Sequence, residues 1–377
     1  MIDISISDLY RYELNGLYVR GYKLTINGKE ILLPIKALSR KEIISKQYTP
    51  ANLYIPDHVF LVNIPFKPEL KAELIDKIYE LKKLMSDNNK LFLVIPSIQG
   101  KLSQVEKIRS LLNGVIEFQK DIENPLLFLP LNKLKGSSIQ DIISSFAKTY
   151  QNIVPIIGFD PEIAKNVISN TRIKMLGIIF NKRINTLNKI WRDLVEFNKI
   201  LNLNNIIPIV TGLPESFTVT LSPNRQKVME STSIFRYFFP GILSYSSSVR
   251  ITTSKKPLPM PKIWEEGFRK SFIVDPVTHE ARNLQDVVND DRFLSETKSF
   301  IDKFTGPDKE SAKYLLTRIE EAARENSEDK LGVIVSLTKM LNSLIINKDF
   351  EEFHKDPISS NPTIINTFRS LLNQKWE

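Results

Sequence analysis

The sequence predicts an α/β protein with a (β/α)8 barrel-like core, an N-terminal β-hairpin unit in front of the core and a helical domain behind it. Three observations support this class. Apolar, strand-like runs recur eight times between residues 58 and 245. Most of them are separated by a segment of helix length in which apolar residues repeat every three to four positions. The runs are continuous and bounded by Pro, Gly and Asn, as expected for parallel strands buried on both faces. An open doubly wound sheet is the alternative, and it is disfavoured because no Gly-rich phosphate turn follows an early strand.

The N-terminal unit, residues 1–50, is predicted from two turn signals. Asn27-Gly28 lies between two runs of β-forming residues and is a preferred pair for a type I′ hairpin. Asn15-Gly16 marks a second turn just upstream. Together they predict a short β-meander that leads into the next domain.

The core domain is assigned to residues 51–250, which contain the apolar runs and their spacers. The expected strands are 58–64, 91–98, 115–118, 126–131, 154–159, 175–180, 206–211 and 242–245. The clearest expected helices are 68–85, 102–112, 139–150, 161–169 and 187–201. Their number and spacing match a (β/α)8 barrel.

The character of the sequence changes near residue 250. Residues 251–285 begin with a stretch rich in Ser, Thr, Lys and Pro that has no strand or helix period, so we expect a linker followed by a small hairpin. The remainder, 286–377, is predicted to be a helical domain, with helices at 286–303, 308–326, 328–346 and 363–376.

Composition limits the classes of function. The 377 residues carry 52 Lys+Arg against 43 Asp+Glu, a net charge of +9 that suits either a polyanionic partner or a solvated Lys-rich surface. The absence of Cys excludes disulfides, thiolate zinc sites and Cys nucleophiles, and it fits a cytoplasmic protein. No apolar run is long enough to span a membrane. His58, His279 and His354 are far apart in sequence, so we expect no metal and no cofactor.

Two short segments are similar to a known family. The first consists of Arg20-Gly21, Leu24-Thr25, Gly28, Ile31 and Pro34. It resembles the opening of the tRNA-guanine transglycosylase superfamily, where a strand of the type Arg-x-Gly-x-Leu-x-Thr precedes a turn ending in Gly, then Ile and Thr-Pro. The second, Ile98-Gln99-Gly100, resembles the Gln-Gly turn at the end of a barrel strand in those enzymes. The resemblance implies exchange or recognition of a guanine-type base in tRNA or DNA, with Gln99 reading the base.

The chain departs from that family at the catalytic positions. The Asp-Ser-Gly-Gly-Phe-Gln and Phe-Asp-Glu segments are missing, and a chain without Cys cannot form the family's zinc cluster. Asn181 stands where the nucleophilic carboxylate should end a late strand, and an amide cannot form a glycosyl ester. Asp160 is therefore the candidate catalytic residue. The alternative is a non-catalytic binding or scaffold subunit of a nucleic-acid-processing or defence complex.

Candidate substrate contacts lie at the carboxyl ends of the expected strands, where a barrel places its active site. Amides and carboxylates dominate among these residues, which are Asn63, Ser97, Gln99, Glu117, Gln119, Asp121, Asn132, Asp160, Glu162, Asn181, Arg183, Thr211, Glu215 and 244–248. Such groups suit the recognition of a planar polar ligand through its edges. Gln99, Glu162, Asn181 and Arg183 are the expected substrate-binding residues. The plain alternative is that strand ends are polar because the chain emerges into water, and Asp160-Pro161-Glu162 is also a good helix start.

Nucleic-acid contacts are expected where cations lie next to aromatic rings, because the cations bind phosphates and the rings stack on bases. The residues assigned to this role are Arg225, Arg250, Lys255, Lys256 and Lys262. Basic residues in 172–192 beside Trp191, and in 225–236 beside Phe235 and Tyr237, follow the same pattern. The expected partner is DNA or tRNA. A protein partner or a second copy of the chain could dock on the C-terminal helices, and no membrane is expected.

Overall fold

The N-terminal unit is an antiparallel sheet, as its turn signals predict. The computed structural model describes residues 3–14, 16–45, 59–84, 91–98, 105–132, 134, 138–150, 152–180, 186–222, 225–245, 268–269, 271–288, 290–325 and 331–372. Its first strands, β1 (Ile4–Leu14), β2 (Leu17–Ile26) and β3 (Lys29–Leu33), pair in the order β1-β2-β3. Asn27 and Gly28 have φ values of 50° and 77°, the left-handed pair that a type I′ turn requires.

A set of parallel strands forms the centre of the molecule. These strands, with one inserted hairpin, are β4 (Ile35–Lys36), β5 (Val59–Phe66), β6 (Leu91–Ile98), β7 (Leu127–Pro130), β8 (Ile153–Gly158), β9 (Met175–Ile179), β10 (Ile207–Leu213), the hairpin β11 (Ser216–Ser222) and β12 (Arg225–Glu230), and β13 (Ile242–Tyr245). Six of them form a sheet in the order β4-β13-β10-β9-β8-β7, and β5 pairs with β6. Neighbours are parallel throughout both sheets, which confirms the predicted α/β class.

Helices connect these strands. They are α1 (Arg40–Ser45), α2 (Lys71–Leu84), α3 (Val105–Asp121), α4 (Ser138–Ala147), α5 (Pro161–Asn170), α6 (Trp191–Leu203) and α7 (Ser231–Phe235), with short 3₁₀ turns at Pro68–Leu70 and Leu187–Ile190. Their apolar sides pack on the sheets in one continuous core. This alternation of strand and helix is the pattern that the sequence predicts for the core domain.

Two sets of hydrogen bonds join the six-stranded sheet to the β5–β6 pair. On one side, Leu38 N donates to Val59 O at 2.9 Å and Leu61 N donates to Leu38 O at 3.0 Å, which extends the line of β4 onto β5 in parallel. On the other side, Asn124, shortly before β7, bonds to β6. Its Oδ1 accepts from Val94 N at 3.1 Å and its Nδ2 donates to Val94 O at 2.8 Å. The amide of Asn124 thus makes the pair of bonds that a neighbouring strand would make.

A second core lies on the other face of the parallel strands. Alternate residues of the eight parallel strands, or residues directly beside a strand, form this core. Strands β2 and β3 add residues such as Tyr22 and Leu33. The members from the parallel strands are Ile35, Ala37, Val59, Leu61, Leu91, Leu93, Ile95, Leu126, Phe128, Val154, Ile156, Met175, Ile207, Ile209 and Ile242. The strands are therefore buried on both faces, as their continuous apolar runs predict.

One predicted strand is wrong. Residues 115–118 belong to α3, which continues to Asp121. Val115 and Phe118 continue the helical spacing of Ile108 and Leu112, and all four side chains are buried. Glu117, Gln119 and Asp121 are consequently helical residues and do not end a strand. The parallel strand that the sequence reading missed is β4, which pairs with β13 although it precedes the boundary predicted at residue 50.

The C-terminal part is helical, as predicted. A small hairpin of β14 (Phe272–Val274) and β15 (Ala281–Asn283) precedes α8 (Leu284–Val287), α9 (Asp291–Ile301), α10 (Gly306–Glu325), α11 (Leu331–Lys355) and α12 (Pro362–Leu372). Asn342 of α11 holds the hairpin, because its Oδ1 accepts from Val274 N at 3.0 Å and its Nδ2 donates to Phe272 O at 2.8 Å. None of the helices in the described ranges has the length and apolar character needed to cross a membrane.

Candidate functional site

Three polar side chains lie at the carboxyl ends of parallel strands, and we call this set the polar mouth: Asn63 of β5, Asn132 after β7 and Thr211 of β10. Asn63 Oδ1, Asn132 Oδ1 and Thr211 Oγ1 are buried, and none has a hydrogen-bond partner among the described residues. Buried polar atoms are almost always paired with protein, water or a ligand, so these three atoms at strand ends are candidates for ligand contacts.

Strand periodicity places Asn63 and Thr211 on the face of the strands that carries the second core. Successive side chains of a strand point to opposite faces. Asn63 follows Val59 and Leu61 at intervals of two, and Thr211 follows Ile207 and Ile209 in the same way. All four of these apolar residues belong to the core that the eight strands share. Asn63 and Thr211 thus lie at the carboxyl end of that core.

Asn132 and the candidate catalytic residue, Asp160, line the same cavity. Pairing of β7 with β8 continues one residue past β7, because Leu131 N donates to Ile156 O at 2.9 Å. Asn132 and Asp160 line one open cavity of about 210 Å³, together with apolar residues such as Leu134 and Phe159. Both residues thus border one cavity, and the apolar residues Leu131, Leu134, Ile157 and Phe159 in its lining belong to the core on the helix side.

Asp160 begins α5. Its Oδ1 accepts from Glu162 N at 3.0 Å and from Ile163 N at 3.2 Å, and Pro161 occupies the first helical position. This geometry matches the alternative given for Asp160-Pro161-Glu162 in the sequence analysis, which is the start of a helix. Both bonds use Oδ1, so the capping role does not engage Oδ2. Glu162 is exposed in the first turn of α5.

The other residues assigned to the site are not tested by the structure. Outside the described residues lie Gln99, Asn181, Arg183, Arg250, Lys255, Lys256 and Lys262. Arg225 is the first residue of β12, but its side chain is also outside the described part.

A second group of polar side chains is buried between the sheet and the C-terminal helices; we call it the sheet–helix network. Its members are Lys36, Glu42, Glu230, Thr232, Tyr245 and Ser343. Lys36 Nζ donates to Glu42 Oε1 at 2.6 Å and to Ser343 Oγ at 3.1 Å. Glu42 Oε2 accepts from Ser39 N at 2.7 Å. A lysine without any exposed surface is stable here because these acceptors replace water.

Glu230 and Tyr245 form the other half of this network. The Glu230 carboxylate caps α7 by accepting from Thr232 N at 2.8 Å and from Ser233 N at 2.7 Å. It also accepts from the Tyr245 hydroxyl, and the Tyr245 ring lies 5.3 Å from Lys36 Nζ. Burial and then the charge of Glu230 raise the pKa of Tyr245 well above 10.0, so this hydroxyl keeps its proton.

A third buried group joins α7, the β14–β15 turn and α11. Arg236 pairs with Asp349, and His279 Nε2 lies 3.2 Å from Asp349 Oδ1. Burial and the nearby Arg236 guanidinium lower the pKa of His279 from 6.5 to about 3, so the ring is neutral at pH 7. His279 also has a φ of 58°, a left-handed conformation in the turn between the two strands.

Several aromatic residues beside the predicted basic groups are buried. Trp191, Phe235 and Tyr237 have exposed fractions of 5%, 0% and 1%, so they cannot stack on a nucleic-acid base in this fold. Trp191 packs edge-on against Phe238, and Tyr237 packs edge-on against Phe353. The aromatic part of that interpretation is wrong for these residues, because Trp191 and Tyr237 pack on the C-terminal helices and Phe235 packs inside the core against Phe217 and Phe239.

The residues predicted from the sequence include those of the polar mouth but not those of the sheet–helix network. Strand-end position is a signal that selects Asn63, Asn132 and Thr211. No comparable signal marks Lys36, which follows an apolar residue in a two-residue strand. Within the described ranges, no group of three His, Asp or Glu residues could hold a metal ion. A comparison with models of protein families gives no match, and a comparison with curated protein sequences gives none either.

Proposed function

We propose that this protein binds a guanine-type base, carried by DNA or tRNA, at the carboxyl end of a closed eight-stranded barrel. The observation that supports this proposal most is the set of three buried, unpaired polar atoms in the polar mouth. Each occupies a strand end, and no described residue satisfies it.

Closure of the barrel is supported by contacts on both sides of the β5–β6 pair. Leu38 bonds to β5, and Asn124 supplies strand-like bonds to β6 next to β7. The common core also draws residues from or next to every parallel strand. In an open α/β sheet helices cover both faces and contribute to both cores, whereas no described helix residue belongs to this core, as expected for the interior of a closed barrel.

The chemistry of the unpaired atoms favours a ligand that donates hydrogen bonds. Asn63 Oδ1 and Asn132 Oδ1 are acceptors, and the Thr211 hydroxyl can donate or accept. A guanine-type base offers an N1–H and an exocyclic amino group on one edge, so it can satisfy amide oxygens. Planarity suits the narrow interior of an eight-stranded barrel, which side chains otherwise fill.

Binding is tested with guanine and 7-deazaguanine by calorimetry on the full chain. Replacing Thr211 with Val keeps the shape and removes the hydroxyl, and Asn63→Leu removes an amide acceptor. We expect each change to weaken binding by about tenfold, because an unmatched polar group of the ligand is left buried. Thr297→Val is the control, since this buried threonine bonds within α9 at 2.9 Å. Equal binding by all four proteins would contradict the proposal.

Base exchange is a second candidate function, favoured by the position of Asp160 in the same cavity as Asn132. In that reaction, the free carboxylate oxygen would attack the sugar C1′, the base would leave with the bonding electron pair, and an incoming base would displace the carboxylate. Asn132 would lie beside the exchanging base. Recognition without exchange corresponds to the binding or scaffold alternative.

The exchange reaction is tested by incubating labelled guanine or 7-deazaguanine with tRNA or duplex DNA. Asp160→Asn keeps a cap acceptor for α5 but removes the nucleophile, so it should abolish incorporation without unfolding the protein. Incorporation by Asp160→Asn at the rate of the unchanged protein would remove Asp160 from the catalytic role. Binding without any incorporation would support the recognition function alone.

The nucleic-acid partner is tested by salt dependence. If Arg250, Lys255, Lys256 and Lys262 contact phosphates, their four contacts give a log–log slope of about −3 to −4 on duplex DNA. Replacing all four by Ala should flatten the slope. A protein that binds neither DNA nor RNA at low salt would contradict this partner.

A further inference from the structure

A large cavity lies at the opposite, amino-terminal ends of the parallel strands. Its volume is about 830 Å³, and it extends between the edge strand β1 and the loops that lead into β8 and β9. Its wall includes Ile4 and Ile6 of β1, Val154 of β8 and Met175 of β9. A cavity of this size is in the range that holds a small organic ligand.

The interior of this cavity is apolar where the strands begin. Ile4 and Ile6 pack against the common core, and Val154 and Met175 belong to it. Helix α4 presents two exposed residues with short side chains, Ser144 and Ala147, to the cavity. Short side chains on this helix leave space that a longer residue would fill.

Three of the neutral polar donors in the lining, those of Asn152, Asn170 and Thr171, are already engaged. Asn152 Nδ2 donates to Pro125 O at 2.9 Å, and Asn170 Nδ2 donates to Asn166 O at 2.8 Å. Thr171 Oγ1 donates to Val167 O at 2.6 Å. These groups hold the surrounding backbone, so they are not free to recognise a ligand.

Two cations in the lining have no such partner. Arg172 and Lys174 are exposed at the rim, and neither side chain makes a hydrogen bond or an ion pair with any described residue. Asp3, on the β1 side, is the single carboxylate among the described lining residues. The cavity thus combines an apolar floor with two free cationic donors on one loop.

We propose that this cavity binds a small molecule with an apolar body and one anionic head group. The apolar part lies on the strand ends beneath β1, and the head group, a carboxylate or a phosphate, bonds to Arg172 and Lys174. Guanidinium and ammonium groups bind such anions through charge-assisted hydrogen bonds. This site is independent of the polar mouth, because it lies at the other end of the strands.

The test uses octanoate, octyl phosphate and neutral 1-octanol as probes in calorimetry on the full chain. We expect one equivalent of at least one anion to bind, and 1-octanol to bind at least about tenfold more weakly, since it lacks the charge that the cations recognise. The double variant Arg172→Ala/Lys174→Ala should bind the anion at least about tenfold more weakly than the unchanged protein. Arg192→Ala/Lys199→Ala is the charge-matched control, since both residues are exposed on α6 and outside the lining.

A second pair of variants tests the apolar part. Ala147→Trp should block the cavity and remove anion binding, whereas Ser145→Trp, also exposed on α4 but outside the lining, should leave it unchanged. Circular dichroism and a urea titration check that each variant is folded. Absence of binding by both anions, equal binding of octanoate and 1-octanol, or anion binding that survives both Arg172→Ala/Lys174→Ala and Ala147→Trp would overturn the proposal.

Discussion

The sheet–helix network and the polar mouth are both buried and polar, but they differ in how their atoms are satisfied. In the network, the Glu230 carboxylate accepts from two backbone N–H groups and two hydroxyls, and Lys36 has Glu42 and Ser343 as acceptors. In the polar mouth, Asn63, Asn132 and Thr211 each keep a buried atom without a described partner.

This difference separates two reasons for burying a polar side chain. A buried, unpaired polar group costs about 1–3 kcal/mol of stability, so a fold that needed only stability would place apolar residues there. The network links the sheet to α1, α7 and α11, and its polar groups are hydrogen-bonded across that interface. The polar mouth makes no such joint, which is why we assign it to ligand binding.

The largest effect is expected in the network. Lys36→Met leaves Glu42 buried without its counter-charge, and breaking a buried pair in this way costs about 3–5 kcal/mol. Urea unfolding measures the loss. Lys77→Met is the matched control, because the Lys77–Glu73 pair is exposed and such pairs contribute about 0–1 kcal/mol. The comparison fails if Lys36→Met is no more destabilising than Lys77→Met.

The second effect concerns acid stability and the group around His279. Its pKa is lowered to about 3 in the folded protein, against 6.5 for an unperturbed histidine. The unfolded chain therefore takes up a proton first as pH falls, so stability is retained above pH 6.5 and lost between 6.5 and about 3. Between pH 6.5 and 5 this loss reaches about 2 kcal/mol for one histidine.

His279→Asn should reduce this acid sensitivity, and asparagine tolerates the left-handed φ of 58° at this position. His354, whose pKa is lowered to about 4 chiefly by burial, contributes in the same direction, and His354→Asn is the parallel variant. Urea unfolding at a series of pH values gives the slope of the unfolding free energy against pH for each protein. An unchanged slope in His279→Asn would show that this ring is not neutral in the folded state.

A smaller effect is expected at the start of α5. Asp160→Ala removes both cap bonds and should cost about 1 kcal/mol, whereas Asp160→Asn keeps an acceptor and should be nearly neutral. Thermal or urea unfolding measures both. Equal losses would mean that the charge of Asp160, and not its cap geometry, stabilises the helix.

The smallest loss of stability is expected in the polar mouth. Thr211→Val removes a buried hydroxyl that has no described partner, so the free energy of unfolding should stay the same or rise, by up to about 1–3 kcal/mol. Thr297→Val removes a bonded hydroxyl and should cost about 1 kcal/mol. If Thr211→Val is the more destabilising variant, the polar mouth is part of the structural framework, and its assignment as a ligand site is wrong.

Local signals in the sequence determined much of the fold. Asn27-Gly28 specified the β2–β3 turn, because few residue pairs tolerate two positive φ values. Continuous apolar runs predicted most of the parallel strands, and strand-end position included Asn63, Asn132 and Thr211 among the candidate polar residues. Asp160-Pro161 predicted the start of α5, which is a local hydrogen-bonding property.

Only the tertiary structure decided the features that depend on distant partners. Residues 115–118 satisfy the patterns of both a strand and a helix, and burial along α3 settled the choice. Lys36 could become a buried strand residue only because Glu42 and Ser343, far apart in the chain, meet its ammonium group. Trp191 and Tyr237 look like surface stacking residues until α11 and α12 cover them. Sequence periodicity reports which face of an element is buried, but the partner that covers a charge or a ring is chosen by the packing of the whole chain.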